Sequence, residues 1–335
     1  MLTFALRRIL LAIPTLLFIS LVIFMLLELS PGDPMANVPL TVPPEVKERM
    51  RVALGLDQAW YIRYVLWLKQ FFWVEPLYTI DKIFGTHFAD GMQRIISFQS
   101  RSPVFDIIAQ RLPQTLTVVG MSYVIGVAIA IPIGIISAYK QYSWFDQIGT
   151  FISMVGFSMP TFFTGVVLII VFAVKLQWFP SIYDTTLVVR DWDSFLMQVR
   201  QMVMPVTVLA LYNAAQISRF MRASMLDNLK QDYVRTARAK GVSERKVVMK
   251  HVLRNSLIPV VTVIALGLPT VFSGAIITEQ VFKVNGLGQL LITAIVGNDM
   301  PMVLTLTFIF AILIVTFTLI ADILYGILDP RIRYD

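Results

Sequence analysis

Six stretches of the chain carry no Asp, Glu, Lys or Arg over a length that matters: Ile9–Leu27, Leu112–Tyr139, Gln147–Val174, Gln201–Ser218, Asn255–Thr278 and Met300–Ala321. A helix rises about 1.5 Å per residue and about 20 apolar residues cross the hydrocarbon core, so each stretch predicts one spanning helix. The fourth has the weakest signal, with 18 residues that include Asn213 and Gln216. The pattern predicts an all-α polytopic membrane protein with six transmembrane helices, a long segment after the first, and a short polar segment, 219–254, between the fourth and fifth.

Composition agrees. Of 335 residues, 57% are hydrophobic and 15% charged, with a mean hydropathy of +0.73, against about 45–50% and about 25% in soluble domains. The absence of cysteine removes disulfides, zinc thiolates, iron–sulfur ligation and thiol nucleophiles, and the two histidines, His87 and His251, exclude a His-rich metal site. The net charge of +7 fits basic cytoplasmic loops better than nucleic acid, which is set aside. Ten basic residues lie between Arg219 and Arg254, placing that segment inside and both termini with it. The first run follows Arg7 and Arg8 as a signal peptide would, but it exceeds a cleavable apolar core and is expected to be an uncleaved anchor.

Proline interrupts five stretches, at Pro14, Pro132, Pro160, Pro205, and Pro259 with Pro269. Such kinks serve pathways that open and close, and also occur in membrane helices generally. Gly126, Ala130 and Gly134 have the small-xxx-small spacing that lets a second backbone approach closely.

The outside segment, 28–111, is too long for a simple connection and is expected to carry structure of its own. Pro43, Pro44 and Glu45 open a polar helix. Trp60, Tyr61, Tyr64, Trp67 and Leu68 follow at roughly helical spacing, and Phe71, Phe72 and Trp73 extend the apolar surface. This reads as a cap resting on the membrane interface, or as a docking face for an external partner. In the inside segment, Asp232 is expected to N-cap a helix Tyr233 to Lys240 stopped by Gly241, and Ser243 to start a second helix through Val247, Val248, Val252 and Leu253. Its basic residues suit either anionic membrane lipid or a docked cytoplasmic protein.

At Asp232-Tyr-Val-Arg-Thr-Ala-Arg-Ala-Lys-Gly241 the sequence resembles the EAA loop of ABC importer permeases, with Arg235, Thr236 and Ala237 at the E-A-A positions and Gly241 at the glycine. His251, Val252, Leu253 and Arg254, followed by Ile258 to Thr262, resemble the peptide/nickel branch. So do Arg7-Arg-Ile-Leu-Leu-Ala-Ile-Pro14 with Pro31-Gly-Asp-Pro34, Gly286-Leu-Gly288 after Glu279, and Asp329-Pro-Arg-Ile-Arg333, all in the order of that branch's first permease subunit. The segment between Phe72 and Ser102 departs from the pattern, being longer and aromatic-rich, with Phe84-Gly-Thr-His-Phe-Ala-Asp-Gly91.

The resemblance implies a single type I permease domain over residues 1–335 in a prokaryotic cytoplasmic membrane. Its implied partners are a second permease subunit, most simply in a heterodimer, two cytoplasmic ABC ATPases and an extracytoplasmic solute-binding protein. No cofactor is expected on this chain: it has no G-x-x-x-x-G-K-[ST], so ATP and Mg would sit on the ATPases. The implied coupling residues are Tyr233, Arg235, Thr236, Ala237, Arg238, Ala239, Lys240 and Gly241. For the pathway, polar positions on the spans are the candidates: Ser153, Ser158, Thr161, Thr164, Asn213, Gln216, Thr262, Thr270 and Ser273, against the plain alternative that Ser and Thr bond their own helix carbonyls. The implied solute is a di- or oligopeptide, with oligosaccharide second and nickel third. A secondary transporter would place ionisable residues within the spans, whereas Glu28, Glu279 and Asp322 stand at span ends. An intramembrane enzyme would need a nucleophile–base set or metal ligands, and no such motif is present.

Overall fold

The computed structural model describes residues 2–30, 42–53, 55–273 and 275–328. The motifs Pro31–Pro34 and Asp329–Arg333, and the side chain of Ser273, lie outside the described residues. The chain is all-α, in the order α1 (Leu2–Glu28), α2 (Pro44–Ala53), α3 (Trp60–Lys69), α4 (Glu75–Phe84), α5 (Val104–Thr115), α6 (Met121–Tyr139), α7 (Trp144–Ser158), α8 (Thr161–Leu168), α9 (Trp192–Leu229), α10 (Asp232–Ala239), α11 (Glu244–Lys246), α12 (Leu253–Ser273), α13 (Ile276–Phe282), α14 (Leu287–Val296) and α15 (Met300–Leu328). Wider π turns join α3 to α4, α5 to α6 and α11 to α12, and extend α8 to Lys175.

Among the described residues, five helices are long and apolar enough to cross a membrane: Arg7–Glu28, Val104–Tyr139, Trp192–Leu229, Glu244–Phe272 and Met300–Ile323. The stretch with the weakest apolar signal is the centre of α9, 38 residues long. Its N-terminus is fixed by a capping box, in which the Asp191 carboxylate accepts from the Ser194 amide at 2.8 Å and the Ser194 hydroxyl accepts from the Asp191 amide at 3.0 Å. The third predicted span is not straight. Trp144–Ser158 and Thr161–Lys175 meet at 103°, because Pro160 disfavours helical geometry at the residue before it and Met159 is extended (φ −81°, ψ 128°).

The chain forms two compact units. One is built from the chain before Leu10, Gln114–Gln289 and the chain from Ile314 onward; the other from Leu10–Pro113 and Leu290–Leu313. In the first, α6 lies parallel to α9 through its small residues. A Cβ on Gly126 would sit 3.1 Å from the Ala210 carbonyl oxygen, and one on Gly134 would sit 2.5 Å from Met221 Cβ and 2.9 Å from the Ser218 carbonyl oxygen. Ala130 between them is fully buried. α7 runs antiparallel to α9. Asp146 accepts two bonds from the Arg222 guanidinium at 2.6 and 2.8 Å, Ser153 meets Ser218 at 3.3 Å, and the Phe157 ring stacks on Tyr212 at 6.0 Å. Beyond the bend, Tyr183 bonds Gln198, and the Asp184 amide donates to Gln201 at 2.8 Å. The bent pair and the segment after it therefore follow α9 from Arg222 back to Gln198, about 36 Å at 1.5 Å per residue.

In the second unit the long segment has the structure expected of it, with Pro44 opening α2. Trp67 and Phe71 pack against Phe308, with ring centroids 5.3 and 5.0 Å apart. Buried carboxylates hold the stretch from Phe72 to Ser102. Glu75 accepts from Arg94 at 2.7 Å and from the Ile95 amide at 3.1 Å, and Arg94 reaches Asp106 at 2.8 Å. Asp299 accepts from the Ser97 hydroxyl and from the Phe98 amide at 2.9 Å. A charge taken out of water is retained only with partners of this kind, so these acids are structural.

The α6–α9 contact sets a test. Gly134→Ala has no room beside Met221 and is expected to destabilise the chain by about 1–3 kcal/mol. Gly156→Ala, whose Cβ would meet nothing closer than Ala215 Cβ at 3.5 Å, removes a helical glycine at no steric cost and leaves stability unchanged or slightly raised. Thermal unfolding of the two variants in detergent reads the difference; equal behaviour would contradict the close approach.

Candidate functional site

Two features of the first unit bear on function, a cavity and a surface helix. The cavity, about 920 Å³, opens among the α7–α8 bend, α9, α12 and the start of α13. Ser158, Pro160 and Thr161 come from the bend, Tyr212, Asn213 and Gln216 from α9, Thr270 from α12 and Thr278 from α13. Phe157, Phe162, Phe220 and Tyr123 supply aromatic wall, and no charged side chain is among the described residues that line it. α7 runs beside α9 as far as Tyr212, and the cavity lies at the bend, against Tyr212, Asn213 and Gln216.

Of the polar positions proposed for a pathway, Ser158, Thr161, Asn213, Gln216 and Thr270 line this cavity. Ser153, Thr164 and Thr262 do not. Ser153 is buried against Ser218, while Thr164 and Thr262 turn their hydroxyls to the Pro160 and Ile258 carbonyls at 3.5 and 3.3 Å, as helical threonines commonly do. Thr278 is the residue the sequence reading missed: only 2% of it is exposed, it borders the cavity, and its Oγ1 has no partner. It closes an apolar run just before Glu279, a signal that reads as a span end rather than as a wall. Tyr123 reaches across to donate to the Ile264 carbonyl, and its hydroxyl leaves no space for a Cβ at Gly267.

Glu279 explains the Gly286-Leu-Gly288 motif. Its carboxylate accepts from the Thr115 hydroxyl at 3.1 Å and the Gln289 amide at 2.9 Å, while the Leu287 amide donates to Thr115 at 2.7 Å. These are free N–H groups of the first turn of α14, satisfied by side chains from α5 and α13. A Cβ on Gly286 would lie 2.6 Å from the Glu279 carboxyl, and one on Gly288 2.8 Å from the Ile276 backbone. The motif thus pins α14 onto the helix that carries Thr278.

The surface helix is α10. Gln231, rather than Asp232, stands at its N-cap in extended geometry, and no side chain caps it there. Asp232 is the first helical residue and pairs with Arg235 at 3.4 Å. The helix ends at Ala239, one residue earlier than expected, and Gly241 follows at φ +73°. The Gly241 amide donates to the Arg238 carbonyl at 2.9 Å and the Val242 amide to Ala237 at 3.3 Å, the pair of bonds that closes a helix through a left-handed residue. A Cβ at Gly241 would meet nothing within 4 Å, so backbone conformation alone asks for glycine.

Val234 and Ala237 point inward, joining Met221 and Met225 of α9, Ala130 and Ala138 of α6, Val260 of α12, and Val247, Val248 and Val252. Ala237 is thus spent under the helix and is not offered to a partner. Tyr233, Arg235, Thr236, Arg238, Ala239 and Lys240 form the exposed face. Arg238 is held by Glu244 at 2.7 Å, which keeps its guanidinium above its ordinary range. Among the described residues, no group of His, Cys, Asp or Glu is placed to hold a metal ion.

Comparison with known proteins bears on the whole chain. Residues 130–334 match the binding-protein-dependent transport system inner membrane component, and residues 1–119 the N-terminal membrane component of such systems. The chain is 37% identical to the oligopeptide transport system permease protein AppB of Bacillus subtilis, over all of both chains. It is 36% identical to a putative peptide transport system permease protein of Brucella abortus, over 98% of each, and 36% identical to the glutathione transport system permease protein GsiC of Escherichia coli, over all of both. Among solved structures, that of an amino acid ABC transporter with histidines is similar at a TM-score of 0.47 and 15% identity, covering 68% of this chain and 95% of that one. The chain belongs to the family of binding-protein-dependent transport system inner-membrane components: it is a permease subunit of an ABC importer, a carrier of solute and not an enzyme.

Proposed function

We propose that the chain crosses the membrane six times with both termini in the cytoplasm, forms half of a passage for peptides, and receives the stroke of an ABC ATPase through α10. The passage is completed by a second, different permease subunit, fed by an extracytoplasmic binding protein and driven by two ATPases that carry the ATP and Mg. The sixth crossing is the bent pair, which meets α9 at Arg222 and Tyr212 before the bend and, through Leu168, Ile169 and Phe172, shares a cluster with Met204 and Val208 after it, which suits a broken span better than a loop returning to its own side. The ten basic residues between Arg219 and Arg254 favour a cytoplasmic α10. Peptides are the solute named for relatives that match from end to end. A cavity with hydroxyls, amides and rings but no charge suits a cargo whose own charge varies and which must leave as readily as it enters.

One observation carries the coupling role. α10 is short, ends in a glycine closure, and is fastened by Val234 and Ala237 to side chains of α6, α9 and α12. A push on its exposed face is delivered to three spans at once instead of being lost in a loop. ATP-driven approach of the ATPases would move α10, and with it the α9 wall of the cavity.

Gentle solubilisation of the tagged chain from native membranes is expected to recover a second permease, P-loop ATPases and, on the binding protein, peptides; the chain recovered intact and alone would count against the assembly. Gly241→Val should leave the chain in the membrane but strip most of the ATPase from it and abolish uptake, because a β-branched residue resists the left-handed region. Gly241→Asn should keep much of both. Full co-purification and uptake with valine would remove the coupling assignment. For the cavity, Asn213→Asp should slow peptide uptake about tenfold, equivalent to about 1.4 kcal/mol at the barrier, with ATPase recovery unchanged, whereas Ser153→Ala should transport normally. The reverse ranking would place the passage elsewhere.

A further inference from the structure

The stretch from Trp60 to Val74 is the first part of a helix that runs on to Phe84, and apart from Arg63, Lys69 and Gln70 it carries apolar or aromatic side chains on both of its faces. One face is occupied by protein. Tyr64 bonds the Ser20 hydroxyl at 2.8 Å and its ring lies 5.3 Å from Phe24, while the Trp67 indole N–H donates to Thr305 at 3.2 Å. Much of the remaining surface is bare: Tyr61 is 57% exposed, Val65 62% and Trp73 60%, and Phe72, whose ring meets Phe308 at 5.9 Å, still leaves 51% of itself exposed. A helix apolar all round belongs in a protein core or in lipid, and large exposed apolar surface needs an occupant.

The contacts on the occupied face give its depth. Ser20 stands eight residues before Glu28, the outer end of the first span, which is about 12 Å along the helix. Phe308, under Trp67 and Phe71, stands eight residues past Met300, where the last span begins, again about 12 Å. The helix thus leans on the spans themselves and not on loops above them. On α1, Phe18 and Leu26 are likewise exposed. Polar groups mark both ends. Arg63 pairs with Glu28 at the entry, and Glu75 with Arg94 at the exit. Lys69, exposed on the same stripe, has a stem long enough to carry its ammonium back to the headgroups.

We propose that Trp60–Val74 is a membrane-embedded element that does not cross: it enters the leaflet at the outer end of the first span, lies against the first and last spans, and leaves on the same side, with phospholipid acyl chains covering Tyr61, Val65, Phe72 and Trp73. The sequence offered this stretch as a cap on the interface or a docking face for a protein; seating within the leaflet is a different arrangement from both. It rests on the first and last helices being spans and is independent of the coupling role of α10.

The chain has no cysteine, so single thiols report without background. Val65→Cys and Trp73→Cys probe the bare face, Leu26→Cys is the lipid reference and Asp90→Cys, on an exposed turn, the water reference. The whole importer is reconstituted in phosphatidylethanolamine–phosphatidylglycerol vesicles, with and without its binding protein. Each thiol is treated with a membrane-impermeant charged maleimide, or spin-labelled and tested for collision with oxygen and with a nickel chelate. Val65→Cys and Trp73→Cys should react as slowly as Leu26→Cys and collide more with oxygen than with nickel, whether or not the binding protein is present. Equal labelling of all four after denaturation shows the thiols competent, and recovery of the ATPases shows each variant folded. Labelling as fast as Asp90→Cys would overturn the proposal, and so would protection that appears only with the binding protein, which would make the face a protein dock.

Discussion

The close approach of α6 to α9 is the contact on which the rest of the first unit depends. Helices in lipid gain nothing from hydrophobic exclusion of one another, so their association rests on packing, and packing is densest where side chains are smallest. With Gly126, Ala130 and Gly134 facing it, α9 comes near enough for its other sides to receive α7 and α12. At one end Asp146 takes the Arg222 guanidinium; close by, Ser224 and Ser256 exchange bonds to each other's backbone at 2.9 and 3.3 Å. α9 thereby becomes the member shared by the cavity, through Tyr212, Asn213 and Gln216, and by the cluster under α10, through Met221 and Met225. Those two sets of residues lie on one helix, less than four turns apart.

That arrangement gives the family's activity a mechanical form. The permease has no chemistry to perform. On the proposed coupling, a displacement of α10 becomes a change of access to the cavity, and α9 is the helix that both share. The neutral lining fits the same task, since a fixed charge would hold one class of cargo and refuse another. Thr278 adds a buried hydroxyl without a partner at the edge of the cavity, next to Glu279, whose carboxylate bonds the start of α14.

Much of this was legible in the sequence because it rests on local rules. Charge-free length gave the spans, small-residue spacing gave the α6 face, and a glycine after an apolar–basic helix gave its closure. The resemblance at Asp232–Gly241 and elsewhere pointed to the family that end-to-end similarity then bore out. What was not legible depends on tertiary partners. The bend at Met159 could be suspected from Pro160, but its 103° angle is set by what α7 and α8 each pack on. The inward turn of Ala237 and the diversion of Ser153, Thr164 and Thr262 from the cavity are matters of helix rotation, which charge-free runs do not encode. The bonds of Glu75 and Asp106 to Arg94, and of Asp299 to Ser97 and Phe98, which frame the outer segment, join residues far apart in the chain and leave no local pattern. Asp232 looked like a cap because aspartate favours that place, yet the turn began one residue earlier and left it inside the first turn, beside Arg235.

The central claim is that α10 and the inner half of α9 move as one body when the ATPases close. Spin labels on Ala239→Cys and Ala223→Cys, both on exposed positions, allow the distance between the two helices to be measured by pulsed electron resonance in the assembled importer. The comparison is between the nucleotide-free state and a state trapped with ATP. The account predicts the same distance distribution in both, even as each label moves relative to the partner permease. A change between Ala223 and Ala239 as large as the change across the two subunits would mean that α10 swings on its own, and the route from surface helix to cavity would have to be sought outside α9.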